Sequence, residues 1–388
     1  MFFETQEEKN RIYYRTLLEA VGSLSRLFSE APEPYIASRV AENVFCKAFE
    51  AKNISRSDTS ADASKNMIGF GIKTFLNGNG KTFQKIAEFN SVHSIIGGLS
   101  VEEKIHKIAE LRNERLSTTK RIYGLKDIIY HCIARQAGKI IIYETPCLPI
   151  RIETCKIHNY KNSTIQFKDG LEEYSFNISK STLYKRFVTS KILLEIPVTI
   201  INDPYDAIVK LRGEIPIYAP ERVQPHIFLP LYSNKNGNKY VPKKSGINQW
   251  NASGRPRDPN EIYIPIPAWI HKTFPNFFPA RDTSFKLTLP DGTFISAKVC
   301  QDNNKALMSN PNSDLGKWLL RKVMNLPERE LLTYDKLESI GLDAVVVYKI
   351  DSEKYGIDFA KSGSYEKFFN KYHENKSRII NEEIGDED

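Results

Sequence analysis

Prolines divide this chain more sharply than any other feature of its sequence. Seven of them lie between residues 213 and 260, at positions 216, 220, 225, 230, 242, 256 and 259. Because proline fixes φ and lacks an amide hydrogen, neither a long helix nor a central strand is expected to run through this stretch. Seven basic and three acidic residues accompany the prolines. The sequence therefore predicts two folded regions joined by a linker, residues 213–244, that continues as a basic arm.

The composition narrows the class of protein. The chain has 388 residues, of which 41% are apolar, and this is enough material for more than one core. No apolar run approaches the roughly 18 residues of a membrane-spanning helix, and the N-terminus has no pattern typical of a secretory signal. The five cysteines include no CxxC pair, which predicts neither a disulfide framework nor a cysteine-rich zinc site and favours a cytoplasmic location. A net charge of +8 fits a polyanionic partner.

The first region, residues 1–212, alternates between helical and extended patterns. Apolar residues at helical spacing predict helices over 10–28, 34–51 and 100–116. The third of these begins with a capping box formed by Ser100 and Glu103. The runs MIGFGIKTFL, KIIIYE and KILLEIPVTII predict strands, whereas TFQKIAEFN predicts a helix that follows the first strand. This order favours an α/β domain with a mixed sheet flanked by helices.

The second region, residues 245–365, is mostly β in character. Alternating residues on both sides of Asp291-Gly292 predict a hairpin. GKWLLRKVMNL predicts a helix, and a further short helix is expected to begin after Thr333 and to end at Gly341. Residues 366–388 are charged and are predicted to form a frayed tail.

One short segment of the first region carries the residue types that phosphodiester hydrolysis needs. A metal that polarises the phosphate is held best by carboxylates, and a nearby cation stabilises the developing charge. Asp62 lies eleven residues before Lys73, across a short turn, and Asp58 is an alternative for the same role. In the competing interpretation, Asp62 caps a turn, and Lys73 and Glu88 are ordinary solvated charges.

This spacing resembles the core of PD-(D/E)xK nucleases, in which an acid on one strand faces an acid-x-lysine motif on the next. The chain departs from that pattern at Gly71, where the family has Asp or Glu. Some restriction endonucleases of the family carry the second acid on the following helix, a position that corresponds to Glu88. The resemblance implies Mg²⁺ held by Asp62 and Glu88, Lys73 beside the attacking water, and Glu42 on an early helix as an auxiliary acid.

Residues 245–350 resemble the recognition domains of EcoRII-type and BfiI-type restriction endonucleases, which share the pseudobarrel fold of plant B-three DNA-binding modules. The resemblance rests on the motifs YIPIP, FFPARD, LPDG, KVCQDNNKALMSNPN and LGKWLLRKV. It implies two arms that clasp the major groove of double-stranded DNA, within GINQWNASGRPRD and QDNNKALMSNPN.

The side chains of these arms suit DNA recognition. Arg255 and Arg257 can pair with guanine, whereas Lys298 and Lys305 can contact phosphates. Further candidate DNA contacts in the arms are Asn248, Gln249, Trp250, Asn251, Ser309 and Asn310. Packing against the barrel is an equal alternative for Trp250.

Together the two resemblances imply a type II restriction endonuclease that cleaves double-stranded DNA and has a companion DNA methyltransferase in the cell. A homodimer is one of the oligomeric states left open. The alternative is a sequence-specific regulator whose nuclease core has decayed, and Gly71 favours it. Core positions are expected for Trp269 and Trp318. Residues 180–186 contain a basic cluster, for which a solvated face is expected and phosphate contact is the alternative.

Overall fold

A computed structural model describes residues 1–55, 59–89, 96–211 and 224–383. Asp58 and residues 213–223 of the predicted linker lie outside the described residues. The chain divides into two compact units: Met1–Lys120 with Gly124–Glu221, and Arg222–Asp388 with Arg121–Tyr123. Within the described part of the chain, no helix is both long and apolar enough to cross a membrane.

The first unit combines helices with two sheets whose strands alternate along the chain. Its strands are β1 (Lys52–Asn53), β2 (Ala63–Lys65), β3 (Ile68–Leu76), β4 (Lys81–Glu88), β5 (Asp127–Gln136), β6 (Lys139–Pro146), β7 (Lys156–Lys161), β8 (Thr164–Lys168), β9 (Glu173–Asn177), β10 (Thr182–Val188) and β11 (Leu194–Pro197). Its helices are α1 (Glu8–Ser23), α2 (Ser38–Phe49), α3 (Val101–Tyr123) and α4 (Pro204–Leu211).

The first sheet has the strand order β1-β2-β3-β5-β6-β11. Strands β3 and β5 are parallel and α3 lies between them in the chain, whereas the other neighbours are antiparallel. Phe45 and Phe49 of α2 and Tyr14 of α1 pack with Phe70 and Ile72 of β3 in one buried cluster. The mixed sheet with flanking helices that the sequence predicted is therefore present.

A buried chain of polar side chains crosses this cluster. Tyr14 Oη lies 2.8 Å from His131 Nε2, and His131 Nδ1 lies 3.1 Å from Glu144 Oε1. The Glu144 carboxylate also accepts from the Phe3 amide at 3.2 Å. Because buried polar groups are costly unless they are paired, these bonds connect the N-terminal segment, α1 and the sheet.

The second sheet has the strand order β4-β10-β9-β8-β7 and corrects one prediction. The segment TFQKIAEFN is not a helix, because Lys81–Glu88 forms strand β4 and pairs antiparallel with β10. Phe83 lies opposite Arg186, and the guanidinium carbon stands 4.3 Å from the centre of the phenylalanine ring. Cross-strand contacts of this kind outweigh a weak local preference for helix.

The second unit is built around a nearly closed barrel. Its strands are β12 (His226–Pro230), β13 (Ser233–Lys235), β14 (Asn238–Tyr240), β15 (Ile264–Pro265), β16 (Ser284–Thr288), β17 (Phe294–Cys300), β18 (Ala306–Ser309), β19 (Leu342–Lys349) and β20 (Lys354–Lys361). Its helices are α5 (Ala268–Thr273), α6 (Asp314–Gly316) with a π-helical continuation (Lys317–Val323), α7 (Tyr334–Ile340) and α8 (Ser364–Glu383). The barrel sheet has the order β12-β19-β20-β16-β17-β18-β15.

Local signals of the sequence are confirmed in both units. The Ser100–Glu103 capping box opens α3, and the predicted hairpin at Asp291-Gly292 joins β16 to β17. The Thr333 side chain caps α7, which ends at Gly341 in the left-handed conformation. Each of these features is set by a few neighbouring residues.

Two predicted boundaries need correction. Strands β12, β13 and β14 fall inside the predicted linker 213–244, because β12 pairs with β19 and completes the barrel sheet. The predicted charged tail is helical up to Glu383, and Phe368 is buried against Phe228 and Phe274. Trp269 packs on the same aromatic cluster and Trp318 is buried, as expected for core positions.

A close backbone contact holds the segment before β15. A Cβ built on Gly316 would lie 2.0 Å from the carbonyl oxygen of Asn260, so only glycine fits there. Arg321, one turn later, donates to Asn260 Oδ1 and to the Pro259 carbonyl oxygen, both at 2.7 Å. The base of the predicted N-terminal arm is therefore fixed to the helix.

We expect Gly316→Ala to destabilise the second unit by about 1–3 kcal/mol or more, because the added methyl group must push the helix away from Asn260. Thermal unfolding should show a transition lowered by several degrees. Gly356→Ala is the matched control, since its Cβ would have no neighbour nearer than 3.8 Å. Equal unfolding temperatures for the two variants would contradict the expectation.

Candidate functional site

Asp62 occupies a fixed position at the start of the β2–β3 ladder. Its amide donates to the Phe70 carbonyl oxygen at 2.7 Å, and its Oδ2 accepts from the Ile72 amide at 2.7 Å. Burial raises the pKa of the Asp62 carboxyl, while Lys73 and the Ile72 amide oppose the rise. The carboxylate is therefore held beside the lysine strand at an energetic cost.

Lys73 lies on the face of β3 that also carries Gly71. Its Nζ stands 5.9 Å from the centre of the Tyr130 ring on the neighbouring strand. A Cβ built on Gly71 would lie 2.9 Å from a carbon of that same ring. Tyr130 therefore fills the space that the acid of the resembled motif would need at position 71.

Glu42 supplies a second carboxylate from α2. Its side chain is 13% exposed, and Arg39 Nη1 donates to its Oε2 at 2.8 Å. Burial and then the Asp62 carboxylate raise the pKa of Glu42, whereas Arg39 and Lys73 lower it. Glu42, Asp62 and Lys73 thus interact electrostatically and form what we call the acid–lysine cluster.

Glu88, the second metal ligand that the sequence predicts, lies on a strand of the second sheet. It is the last residue of strand β4, half-exposed, and its Oε2 lies 3.0 Å from Lys85 Nζ. The structure places Glu88 on a strand of the second sheet because the helix predicted for it does not form.

Arg112 on α3 is a buried residue of this region that the sequence analysis missed. Its guanidinium donates to Ser60 Oγ at 2.6 Å and to Tyr130 Oη at 2.9 Å. Ser60 lies two residues before Asp62, and Tyr130 contacts Gly71. The spacing of Ile105, Ile108, Arg112, Arg115 and Thr119, alternately three and four residues, could have revealed an arginine within the buried stripe of a helix.

The basic cluster of residues 180–186 differs from the expected solvated face. Lys185 is 5% exposed and pairs with Glu172 at 2.9 Å, with its Nζ 5.8 Å from the centre of the Tyr130 ring. The Lys73 Nζ stands at a similar distance, 5.9 Å, from the centre of the same ring. Both lysines also act on the buried thiol of Cys132 on β5: burial raises the pKa of this thiol to about 12, and the two positive charges oppose the rise. Two ammonium groups are therefore present near Tyr130.

The described residues contain no group of three or more His, Cys, Asp or Glu side chains arranged to hold a metal ion. The acid–lysine cluster offers two carboxylates, each with a raised pKa. Since Mg²⁺ commonly takes one or two carboxylates and keeps several waters, this donor set fits such an ion.

Two of the predicted base-reading residues of the second unit are buried. The Asn248 amide donates to the Pro242 and Leu332 carbonyl oxygens at 3.1 and 2.9 Å, and its Oδ1 accepts from the Leu332 amide at 3.0 Å. Ser309 Oγ accepts from the Leu315 amide at 2.8 Å. Both side chains are 0% exposed and bind backbone groups, which weighs against the predicted role in reading bases.

Three other predicted readers converge on one carboxylate. Glu261 Oε1 lies 2.6 Å from Arg255 Nη2 and 3.5 Å from Arg257 Nε. Gln249 Nε2 donates to the same oxygen at 3.2 Å. Arg257 also donates to the Ala252 carbonyl oxygen at 2.8 Å, and its side chain is 15% exposed, whereas that of Arg255 is 55% exposed. Sequence reasoning missed Glu261, which lies just beyond the arm motif.

The remaining predicted contacts lie at or near the surface. Asn251, Lys305 and Asn310 are exposed, and the Asn251 amide donates to the Lys243 carbonyl oxygen at 3.0 Å. Lys298 Nζ is 3.2 Å from Asp282 Oδ1. Trp250 is half-buried in a 3₁₀-helix, and its indole N–H has no hydrogen-bond partner within the described part of the chain.

Comparison with known families finds a match within the second unit. Residues 223–351 match the family model of the NgoFVII C-terminal B3-like DNA-binding domain, a domain of a restriction enzyme family. The match begins inside the predicted linker, just before β12, and covers the barrel strands up to β19. No curated protein matches the chain.

We expect Asp62→Asn to raise the thermal unfolding temperature at pH 7 in EDTA. A carboxyl whose pKa is higher in the folded than in the unfolded state stabilises the fold while it is protonated, and this contribution is lost as the pH rises through the folded pKa. The advantage of the variant should therefore vanish at acidic pH.

Melting curves from acidic to neutral pH measure this difference. Asp127→Asn is the control, because its carboxylate is on β5 of the same sheet and its side chain is 78% exposed. A lower unfolding temperature for Asp62→Asn than for the wild type at pH 7 would rule out the assumed cost of the buried charge.

Proposed function

We propose that the protein is a sequence-specific double-stranded DNA endonuclease of a restriction-modification system. The B3-like family match over residues 223–351 supports sequence-specific DNA binding by the second unit. The acid–lysine cluster in the first unit supports hydrolysis as the accompanying activity. The observation that carries the proposal is the presence of both features in one chain.

The proposed active site uses Asp62 and Glu42 as ligands of Mg²⁺. Burial raises the pKa of both carboxyls in spite of Lys73 and Arg39, and a divalent cation would favour their charged forms. When bound, Mg²⁺ polarises the phosphate and makes a water molecule a better nucleophile. The amide of Ile72 keeps the Asp62 carboxylate oriented through its 2.7 Å bond.

Lys73 is proposed to stabilise the negative charge that develops on the phosphate and to orient the attacking water. Its ammonium group lowers the pKa of the Asp62 carboxyl and stands 5.9 Å from the centre of the Tyr130 ring. A cation beside the proposed metal ligands is well placed to stabilise the charge that develops on the phosphate.

The alternative is a DNA-binding regulator whose nuclease core has decayed. Two observations favour it: Gly71 stands in place of an acid, and the described residues offer only paired carboxylates rather than a larger metal-binding group. Under this alternative the second unit would bind its target and the first unit would have no hydrolytic role.

Substitutions in the acid–lysine cluster separate the two functions. With Mg²⁺ and unmethylated DNA, Lys73→Ala and Glu42→Gln should each cut at least about a hundredfold more slowly, because the phosphate loses its cation or the metal loses a ligand. Binding of the target in EDTA should stay within about twofold, since these residues belong to the catalytic unit. Cleavage rates and binding titrations measure both effects.

Glu88→Gln serves as the matched acidic control and should cleave at the wild-type rate, because Glu88 pairs with Lys85 on a different sheet. Loss of cleavage in Glu88→Gln with normal cleavage in Glu42→Gln would return the metal ligand to Glu88. Target binding by a wild-type protein that cuts no DNA would support the regulator.

Base reading and phosphate contact within the arms should respond differently to substitution. Arg255→Ala is expected to cost about 1–3 kcal/mol on the target and to relax preference at one base pair, because a bidentate contact to guanine is lost. Lys305→Ala should weaken binding to all duplexes, because one phosphate contact is lost. The slope of the logarithm of the binding constant against the logarithm of salt concentration should fall by about one.

Titrations at several salt concentrations, against target and singly substituted duplexes, distinguish a base-reading residue from a phosphate contact. Equal losses on target and random DNA for Arg255→Ala would leave that arginine as a backbone contact.

A further inference from the structure

Glu261 sits at the centre of the N-terminal arm of the second unit. Its side chain is 5% exposed, and its Oε1 contacts Arg255 at 2.6 Å, Gln249 at 3.2 Å and Arg257 at 3.5 Å. A buried carboxylate is costly unless it is paired and hydrogen-bonded. The arm therefore folds around this charge.

The carboxylate is mounted on a rigid base. Glu261 follows Asn260, which contacts the backbone of Gly316 and accepts from Arg321 Nε at 2.7 Å. The Glu261 amide donates to the Asp258 carbonyl oxygen at 2.9 Å. A side chain bound to Glu261 is consequently held relative to the barrel.

Of the side chains that contact Glu261, Arg255 is the one whose orientation depends most on this contact. Its side chain is 55% exposed, and besides Glu261 it donates to the carbonyl oxygen of the adjacent Pro256 at 3.2 Å. An unrestrained arginine loses rotamer entropy when it binds in one geometry. A fixed carboxylate removes part of that loss before DNA arrives and leaves other N–H groups of the guanidinium available.

The same carboxylate also changes the charge of the arm. It partly neutralises Arg255 and Arg257, and this weakens their attraction to phosphates of any sequence. A charge that lowers non-specific affinity while it orients a base-reading side chain improves discrimination in two ways.

From this geometry we propose that Glu261 is a specificity-determining positioning residue, which acts through Arg255 and Gln249 rather than by touching DNA. The proposal rests on the proposed sequence-specific binding and deepens it. According to this proposal, one buried carboxylate largely sets the ratio of the affinity for target DNA to the affinity for random DNA.

The test uses the full-length protein in EDTA and a pool of duplexes with a randomised central segment. The wild type first selects its preferred sequence, and affinities for that duplex and for random duplex are then compared. Glu261→Gln keeps the size of the side chain and removes its charge. We expect the ratio of target to random affinity to fall about tenfold or more, with random-duplex affinity unchanged or higher.

Asp291→Asn is the matched control. Asp291 is also a nearly buried acid paired with a basic side chain, Lys322, but it lies in the β16–β17 turn of the same unit. The control should keep the wild-type ratio. A fall in both affinities of Glu261→Gln by the same factor, or an unchanged ratio, would overturn the proposal.

A second comparison distinguishes a loss of positioning in Glu261→Gln from a loss of folding. In an Arg255→Ala background, Glu261→Gln should change the ratio by less than about half as much on a logarithmic scale, because residues that act through one another are not additive. Full additivity would overturn the proposed route through Arg255. If the wild type enriches no sequence at all, the proposed function fails first and this inference fails with it.

Discussion

The parallel pairing of β3 with β5 is the constraint on which the candidate active site depends. It aligns Gly71 with Tyr130, and the tyrosine ring then fills the space beside that glycine. A side chain at position 71 would press against this ring, so the second carboxylate of the cluster comes from another element. Glu42 on α2 provides it, and this explains how the cluster keeps two carboxylates although the acid-x-lysine pattern is broken.

The crossover helix α3 adds a second constraint to the same pairing. Through Arg112 it binds Tyr130 and Ser60, and through Thr119 Oγ1 it accepts from the Ser60 amide at 3.0 Å. The segment that leads to Asp62 and the ring beside Lys73 are therefore held by one helix. A parallel connection needs such a crossover for topological reasons, and here the crossover also supplies the polar groups that fix the site.

Features set by nearby residues could be predicted from the sequence, whereas features set by distant partners could not. The capping box of α3 and the hairpin at Asp291-Gly292 depend on a few adjacent side chains. Strand β4 forms because β10, about a hundred residues later, pairs with it. The residues of β4 themselves carry no signal that indicates this partner. The erroneous helix there also misplaced Glu88, so one missed pairing affected both the fold and the candidate site. The candidate role of Asn248 depends on distant residues too. Its amide is of the type that pairs with adenine, but in the fold it binds backbone groups of Pro242 and Leu332.

Buried carboxylates have opposite roles in the two units. In the first unit, burial raises the pKa of Asp62 and of Glu42, and the Asp62 carboxylate raises that of Glu42 further, so both charges are costly to hold. In the second unit, Glu261 is surrounded by two arginines and a glutamine, so its charge is already matched. Under the proposed function, the two carboxylates with raised pKa values would hold a metal, whereas Glu261 orders its cationic neighbours. The surroundings of each carboxylate, rather than the residue type, therefore determine which chemistry it supports.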